Sequence, residues 1–261
     1  MLEKILDFER TLFLQLNGVH SLFGDQFMWL YSGLIYWIPL AVCFFVFLFV
    51  ANRTRWREVL LIVAAIVLVV TLCDQFASGF CKPFFARFRP TYHPDFMNEV
   101  QTVFDYRGGR YGFISSHAAN GFGFATLSSL IFKNKWYTVL LFLWATISAY
   151  SRIYLGVHFI SDIIPGILTG LLFGWMVYLL FKFAHTRFFT GKNGYSSTKE
   201  SLNPASGLIT VDIPNTYQST KKLMYPHEGL TVILFLLIIS IALMAVISIL
   251  SMYRIIPAIN F

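Results

Sequence analysis

Five stretches of this sequence are almost free of charge and run for, or close to, the roughly 20 residues that a helix needs to cross a hydrocarbon core. They are residues 27–51, 59–80, 116–132 with its approach from 113, 160–183 and 230–253. A sixth run, 136–154, is shorter and reads as a helix buried among the others. With 57% hydrophobic residues in 261, the chain is too apolar for an ordinary soluble domain of this length. The expected fold is all-α: a polytopic membrane helix bundle of about six transmembrane helices.

The opening segment differs in kind. Leu2, Ile5, Leu6, Phe8, Leu12 and Phe13 interleave with Glu3, Lys4, Asp7, Glu9 and Arg10, which predicts an amphipathic helix lying at the membrane interface. Acids stand where a secretory leader would be basic, so the segment is expected to be retained. Four regions follow: an interfacial helix over 1–24, a membrane-embedded core over 25–183, a polar cytoplasmic loop over 184–228 rich in Gly, Ser, Asn and Pro, and a C-terminal transmembrane helix over 229–261. Eleven Lys and Arg fall in the loops at 52–57 and 133–135 and from 182 to 222, against nine on the other side. That bias puts the first group in the cytoplasm. The +7 net charge suits anionic headgroups, and no basic stripe with interleaved aromatics suggests nucleic acid.

Charge beside hydrocarbon is expensive and marks function. Three polar stretches border the apolar runs, at 82–90, 115–117 and 151–162. Cleaving a phosphate ester requires neutralised non-bridging oxygens, an in-line nucleophile and a proton donor for the leaving oxygen. Lys82, Arg89 and Arg152 meet the first need. Pro90 biases Arg89 toward extended backbone, so 82–89 is expected to leave the second span and fold over the site. His158 and Asp162 stand four apart on one helical face, where the carboxylate can hold one ring nitrogen and leave the other to attack. His158 is therefore the expected nucleophile, and His117, which lacks a local carboxylate, the general acid. Ser115 and Ser116 open the third span, where a hydroxyl and unpaired amides can hold anionic oxygens. Ser151 reads as a supporting residue or a helix cap.

Other features have plainer readings. Asp74, Ser78 and Lys82 share one helical face, which gives Asp74 a supporting role. Arg87, Arg107, Arg110 and Arg254 are expected to be interfacial anchors or loop salt-bridge partners. Trp29, Tyr31, Tyr36, Trp37, Trp136 and Tyr137 read as lipid-facing packing and an interfacial belt. Cys43, Cys73 and Cys81 are expected to be reduced and buried, and no spacing of Cys, His and carboxylates suggests a metal site. The 91–112 segment, joining two motifs, is the expected headgroup reader.

Lys82 with six residues before Arg89-Pro90, the Ser115-Ser116-His117 turn, and Ser151-Arg152 with five residues before His158 and three more before Asp162 resemble the three-part signature of the type 2 phosphatidic acid phosphatase family. That family resembles vanadium haloperoxidases in its helical core. The resemblance covers the region from the first span to the fifth and implies cofactor-free, metal-independent dephosphorylation through a phosphohistidine on His158, with His117 protonating the leaving group. One departure stands out: Ile114-Ser115-Ser116-His117 replaces the family's usual Pro-Ser-Gly-His. The chain is similar to short bacterial envelope phosphatases. The expected substrate is thus a membrane lipid phosphate, lipid A phosphate or undecaprenyl diphosphate first, with phosphatidylglycerophosphate or phosphatidate as alternatives. The expected location is the bacterial cytoplasmic membrane with the active site facing the periplasm. A catalytically silent lipid-binding or transport protein would retain the basic pocket but would not need both histidines and Asp162.

Overall fold

The computed structural model describes residues 2–51, 55–190, 200–202, 209–211 and 227–253. Among the described residues nine α-helices carry the architecture: α1 (Leu2–Asn17), α2 (Leu22–Ser32), α3 (Ile38–Ala51), α4 (Trp56–Asp74), α5 (Lys82–Phe85), α6 (Ser116–Phe132), α7 (Lys135–Tyr154), α8 (Ile160–His185) and α9 (His227–Met252). Two short antiparallel strands, Glu200–Leu202 and Ile209–Val211, are the departure from an all-α fold among the described residues. They fall in the expected polar loop, which begins later than position 184 because α8 runs to His185 and continues as wide turns over Thr186–Thr190. The rest of that loop lies outside the described residues.

Among the described residues, three helices are long and apolar enough to cross a membrane, over Trp56–Phe85, Ile160–Phe189 and Thr231–Met252. A fourth crossing results if α2 and the helix that follows it count as one span, since the two meet at 69°. The apolar run 27–51 is therefore not one straight helix. Gly33 stops α2 in extended backbone, its N–H still bonding the Trp29 and Leu30 carbonyls, while the Trp37 indole donates to the Tyr31 carbonyl at 2.8 Å. α6, at 17 residues, and α7 stand at the other two of the six expected spans but do not reach the same length and apolarity, so three to four membrane-capable helices are found among the described residues where about six are expected.

α6 occupies the middle of the bundle, packed most extensively on α8 and also on α7 and α4. Small residues make the closest of these contacts possible. A Cβ added at Gly166, Gly170 or Gly174 of α8 would lie 2.7, 2.5 and 2.7 Å from the Ser115, Ala119 and Gly123 carbonyl oxygens. Backbones can approach this closely only where neither side chain intervenes. The aromatic residues contribute to the interior more than expected. Tyr31 and Tyr137 are buried, and Trp37 makes edge contacts with Tyr31 and Trp144, so of the expected belt it is Trp136 that stands out from the bundle. Cys73 and Cys81 are buried thiols, whereas Cys43 faces outward.

α1 closes one end of the bundle. Phe13 is fully buried against Phe96 and Phe159, and the Asn17 amide donates to the Ile153, Tyr154 and Gln101 carbonyls, satisfying the last turn of α7. Its outer face exposes Ile5 and Phe8. At this same end α5 stops, α6 and α8 begin and α7 finishes. All three polar motifs meet there.

Candidate active site

Lys82 reaches the site because α4 does not end at Asp74. It widens into π-type turns over Gln75–Cys81 and runs into α5, carrying a polar ladder: Lys82 Nζ donates to Ser78 Oγ at 2.9 Å, and Ser78 Oγ to Asp74 Oδ1 at 3.3 Å. Asp74 is thus the carboxylate behind Lys82, as its helical spacing implies. Lys82 Nζ also lies 3.4 Å from Ser116 Oγ, joining the first motif to the second. Wide helical turns of this kind are rare and are frequently found at functional sites.

Ala86, at φ 45°, turns the chain out of α5, and residues 86–89 then run back beside 110–112. Phe88 bridges Tyr111, the Arg89 amide bonds the Arg110 carbonyl at 3.1 Å, and the Gly112 amide bonds the Arg87 carbonyl at 2.9 Å. Arg89 adopts the extended backbone its Pro90 neighbour demands, and its Nε donates to the Tyr111 carbonyl at 3.1 Å. The guanidinium is 7% exposed, and burial together with the nearby Arg152 charge pushes it below its ordinary pKa.

Arg152 comes from the last turn of α7 and is 3% exposed. It donates to Ser32 Oγ and, at 3.2 Å, to the Tyr106 hydroxyl. Burial raises the Tyr106 phenol, but the Arg152 charge and hydrogen bond outweigh it and leave the phenol below its usual value. The Ser151 hydroxyl donates to the Ser148 carbonyl at 2.7 Å inside α7, so it does not cap a helix. Among the described residues, Arg89 Nη1 and Arg152 Nε are buried donors without a protein partner. Such donors are rare, and two of them on cations that repel each other suit an anion held between.

His158 sits in the short link between α7 and α8 and is 1% exposed. Its Nδ1 is 3.4 Å from Asp162 Oδ2, a long contact, and the ring also bonds the Gly112 backbone. A side chain on Gly112 would come 2.9 Å from Asp162 Oδ2 and 3.5 Å from His158 Nδ1, so only glycine lets that strand approach. Burial, then the charges of Arg89, Arg152 and Lys82, hold the His158 imidazole well below its ordinary pKa and thus neutral. Asp162 is fully buried and shares its oxygens: Oδ2 accepts from the Phe159 amide at 3.0 Å, and Oδ1 from Arg87 at 2.8 Å.

Ser115 is the N-cap of α6, its Oγ accepting from the Ala118 amide at 3.4 Å, and its own amide bonds the Asp162 carbonyl at 3.0 Å. As a cap the hydroxyl keeps its proton free to donate, while Ser116 turns its hydroxyl toward Lys82. His117, on the first turn of α6, lies within electrostatic reach of Arg152, His158, Arg89 and Lys82. It also lines an apolar cavity of about 480 Å³ that runs between α3, α4, α6, α7 and α9. Leu34, Phe44, Ile66, Leu141 and Ile233 line that cavity, and Ser32, Asn120 and Ser148 add polar groups to it.

All eight residues expected from the sequence therefore converge at one end of the bundle. Arg87, Tyr106, Ser32 and Gly112 join them. Arg87 was expected only as an anchor or loop salt-bridge partner, and it does pair with Glu9 and Asp162; Tyr106 and Gly112 were expected only as part of the 91–112 segment, and Ser32 carried no signal. No group of three or more His, Cys, Asp or Glu placed to hold a metal occurs among the described residues.

A family model described as the PAP2 superfamily matches residues 63–186, the stretch that holds every one of the motif residues. The chain is 50% identical over 186 residues to a lipid A 4'-phosphatase of Porphyromonas gingivalis, covering 71% of this chain and 78% of that protein. It is 35% identical over 182 residues to a lipid A 4'-phosphatase of Bacteroides thetaiotaomicron, covering 69% and 80% respectively. Among solved structures, a PAP2 type phosphatidylglycerolphosphate phosphatase from Bacillus subtilis shares the fold with a TM-score of 0.53 at 19% identity, over 71% of this chain and 88% of that one.

Proposed function

This chain belongs to the PAP2 superfamily of phosphatases, and from that premise we propose that it is an integral-membrane lipid phosphatase that removes the 4'-phosphate of lipid A at the periplasmic face of a bacterial inner membrane. The observation that carries the reading is the pair of buried, unpartnered guanidinium donors, Arg89 Nη1 and Arg152 Nε, beside a neutral His158. Lys82, Arg89 and Arg152 grip the non-bridging oxygens, helped by the Ser115 and Ser116 hydroxyls and the first amides of α6. With Nδ1 of His158 facing Asp162, Nε2 attacks phosphorus, the bond to the sugar oxygen breaks, and His117 gives that oxygen its proton. The neutral His117 then takes a proton from water, whose oxygen attacks the phosphohistidine and releases inorganic phosphate, restoring both imidazoles.

A lipid substrate is supported by the apolar cavity on which His117 borders, since an acyl chain lodged there leaves its headgroup at the cationic end. Lipid A is supported by the two relatives, which carry that name over most of their length. The orientation is supported by the Lys and Arg bias, which puts the motif-bearing end opposite the more basic loops.

The test is phosphate release by detergent-purified protein in EDTA, across lipid A, undecaprenyl diphosphate, phosphatidylglycerophosphate and phosphatidate, with His158→Ala as control. The expected result is His158-dependent release that is fastest from lipid A and confined to its 4'-position. Release fastest from undecaprenyl diphosphate would overturn the substrate, and His158-independent release would overturn the mechanism.

A further inference from the structure

Glu9 is carried by α1, ahead of the part of the chain that the family model matches, yet it ends inside the site. Its Oε2 accepts from Arg87 Nη2 at 2.8 Å, and its Oε1 accepts from the Ser161 amide at 3.1 Å and from the Ser161 hydroxyl. Arg87 Nη1 donates in turn to Asp162 Oδ1 at 2.8 Å and to Ser161 Oγ, while its guanidinium lies over the Phe159 ring at 4.8 Å. The Glu9 and Arg87 side chains are 14% and 29% exposed, and Asp162 is wholly buried. The chain Glu9–Arg87–Asp162 therefore passes from α1 to the carboxylate that faces His158, with Ser161 hydrogen-bonded to both Glu9 and Arg87.

We infer that Glu9 is a positioning residue for phosphoryl transfer, acting through Arg87 and Ser161 to fix the Asp162 carboxylate against His158. Two physical effects follow from the geometry. An Arg87 with no counter-charge would draw Asp162 toward itself and away from the imidazole, whose contact is already long at 3.4 Å; Glu9 balances that pull. By accepting from the Ser161 amide, Glu9 also satisfies one of the free N–H groups that begin α8 and pins the turn from which Asp162 projects. The charged groups around Asp162 are Arg87, Arg89 and, one step out, Glu9, and the titratable ring facing it is the neutral His158. Glu9 reaches none of the three phosphate-gripping cations in its hydrogen bonds, so its effect is confined to the attack step.

The inference rests on the lipid-phosphatase reading, and its test separates the two. Wild type, Glu9→Gln, Arg87→Ala and the double variant are purified as full chains in detergent and compared for kcat, KM and melting temperature on lipid A. Glu9→Gln is expected to lower kcat about tenfold, the scale seen when the group orienting a reacting side chain is lost, with KM within about twofold. In the Arg87→Ala background the same substitution is expected to change kcat less than about twofold, because the link it acts through is gone. An unchanged kcat in folded Glu9→Gln overturns the inference. So does a fall in kcat that adds in full to that of Arg87→Ala, or one that comes with a matching loss of melting temperature and a raised KM, since those mark a helix that merely docks. If Glu9→Gln does not fold, Ser161→Ala, which removes the other Glu9 partner, is read in the same way. A wild type that releases phosphate from none of the lipids overturns the lipid-phosphatase reading and the inference with it.

Discussion

At the scale of single residues, the site is a set of mutually repelling cations held together by burial and backbone. That arrangement makes each of them costly to lose: Lys82→Ala or Arg152→Ala is expected to reduce kcat/KM by about a hundredfold, on the order of 3 kcal/mol of transition-state stabilisation, measured as initial phosphate release. The neutral His158 gives a pH prediction with a definite sign. Its folded pKa lies well below the ordinary 6.5, so the attacking form persists into mild acid and the acid limb of kcat/KM falls below pH 6.5 rather than at it. Stability follows the same linkage. Between the folded pKa and 6.5 the unfolded chain binds a proton that the native ring refuses, so the contribution of His158 is fully present above pH 6.5 and is lost as pH falls through that window. The eight motif residues were legible in the sequence because each motif is local, a matter of spacings shorter than ten residues. Glu9 was not, because its partners Arg87 and Ser161 are 78 and 152 positions away, and only α1 folding back over the bundle brings them within reach.

At the scale of helices, runs of apolar residues announced where helices lie but not how they end. A run such as 27–51 is apolar and uncharged on both sides of Gly33, so hydropathy could not register a 69° bend. Nor could it show that the helix from Trp56 would widen over Gln75–Cys81, since every residue there is compatible with an ordinary turn. The contact between α6 and α8 was likewise hidden in glycines at 166, 170 and 174, a spacing that is meaningful only once the facing helix is known. Gly170→Ala tests that contact. Its new methyl meets the Ala119 carbonyl oxygen at 2.5 Å and the Gly123 amide at 2.8 Å, in a place where backbone atoms cannot yield. The expected outcome is a loss of roughly 1–3 kcal/mol, read as a lower melting temperature in detergent. Leu172→Ala, on the exposed face of the same helix, is expected to melt near wild type.

At the scale of the molecule, the catalytic end and the apolar cavity share α4, α6, α7 and the Ser32 end of α2 but otherwise draw on different parts of the chain. The cavity draws on α3 and α9, which contribute none of the cations, so substrate grip and chemistry should separate under mutation. Leu237→Trp, from α9, is expected to narrow the cavity and raise KM for lipid A several-fold while leaving turnover of a short, water-soluble phosphate ester unchanged, measured on both substrates. The hydrogen bond from the Ser115 amide to the Asp162 carbonyl, reinforced by the glycine contacts below it, bears on the whole assembly. It fastens the helix bearing His117 to the helix that follows His158, so a bilayer that thins, thickens or bends must tilt the two together. On the roles proposed for His117 and His158, elastic stress in the membrane is then expected to displace the reactive end as one unit rather than to part the two rings.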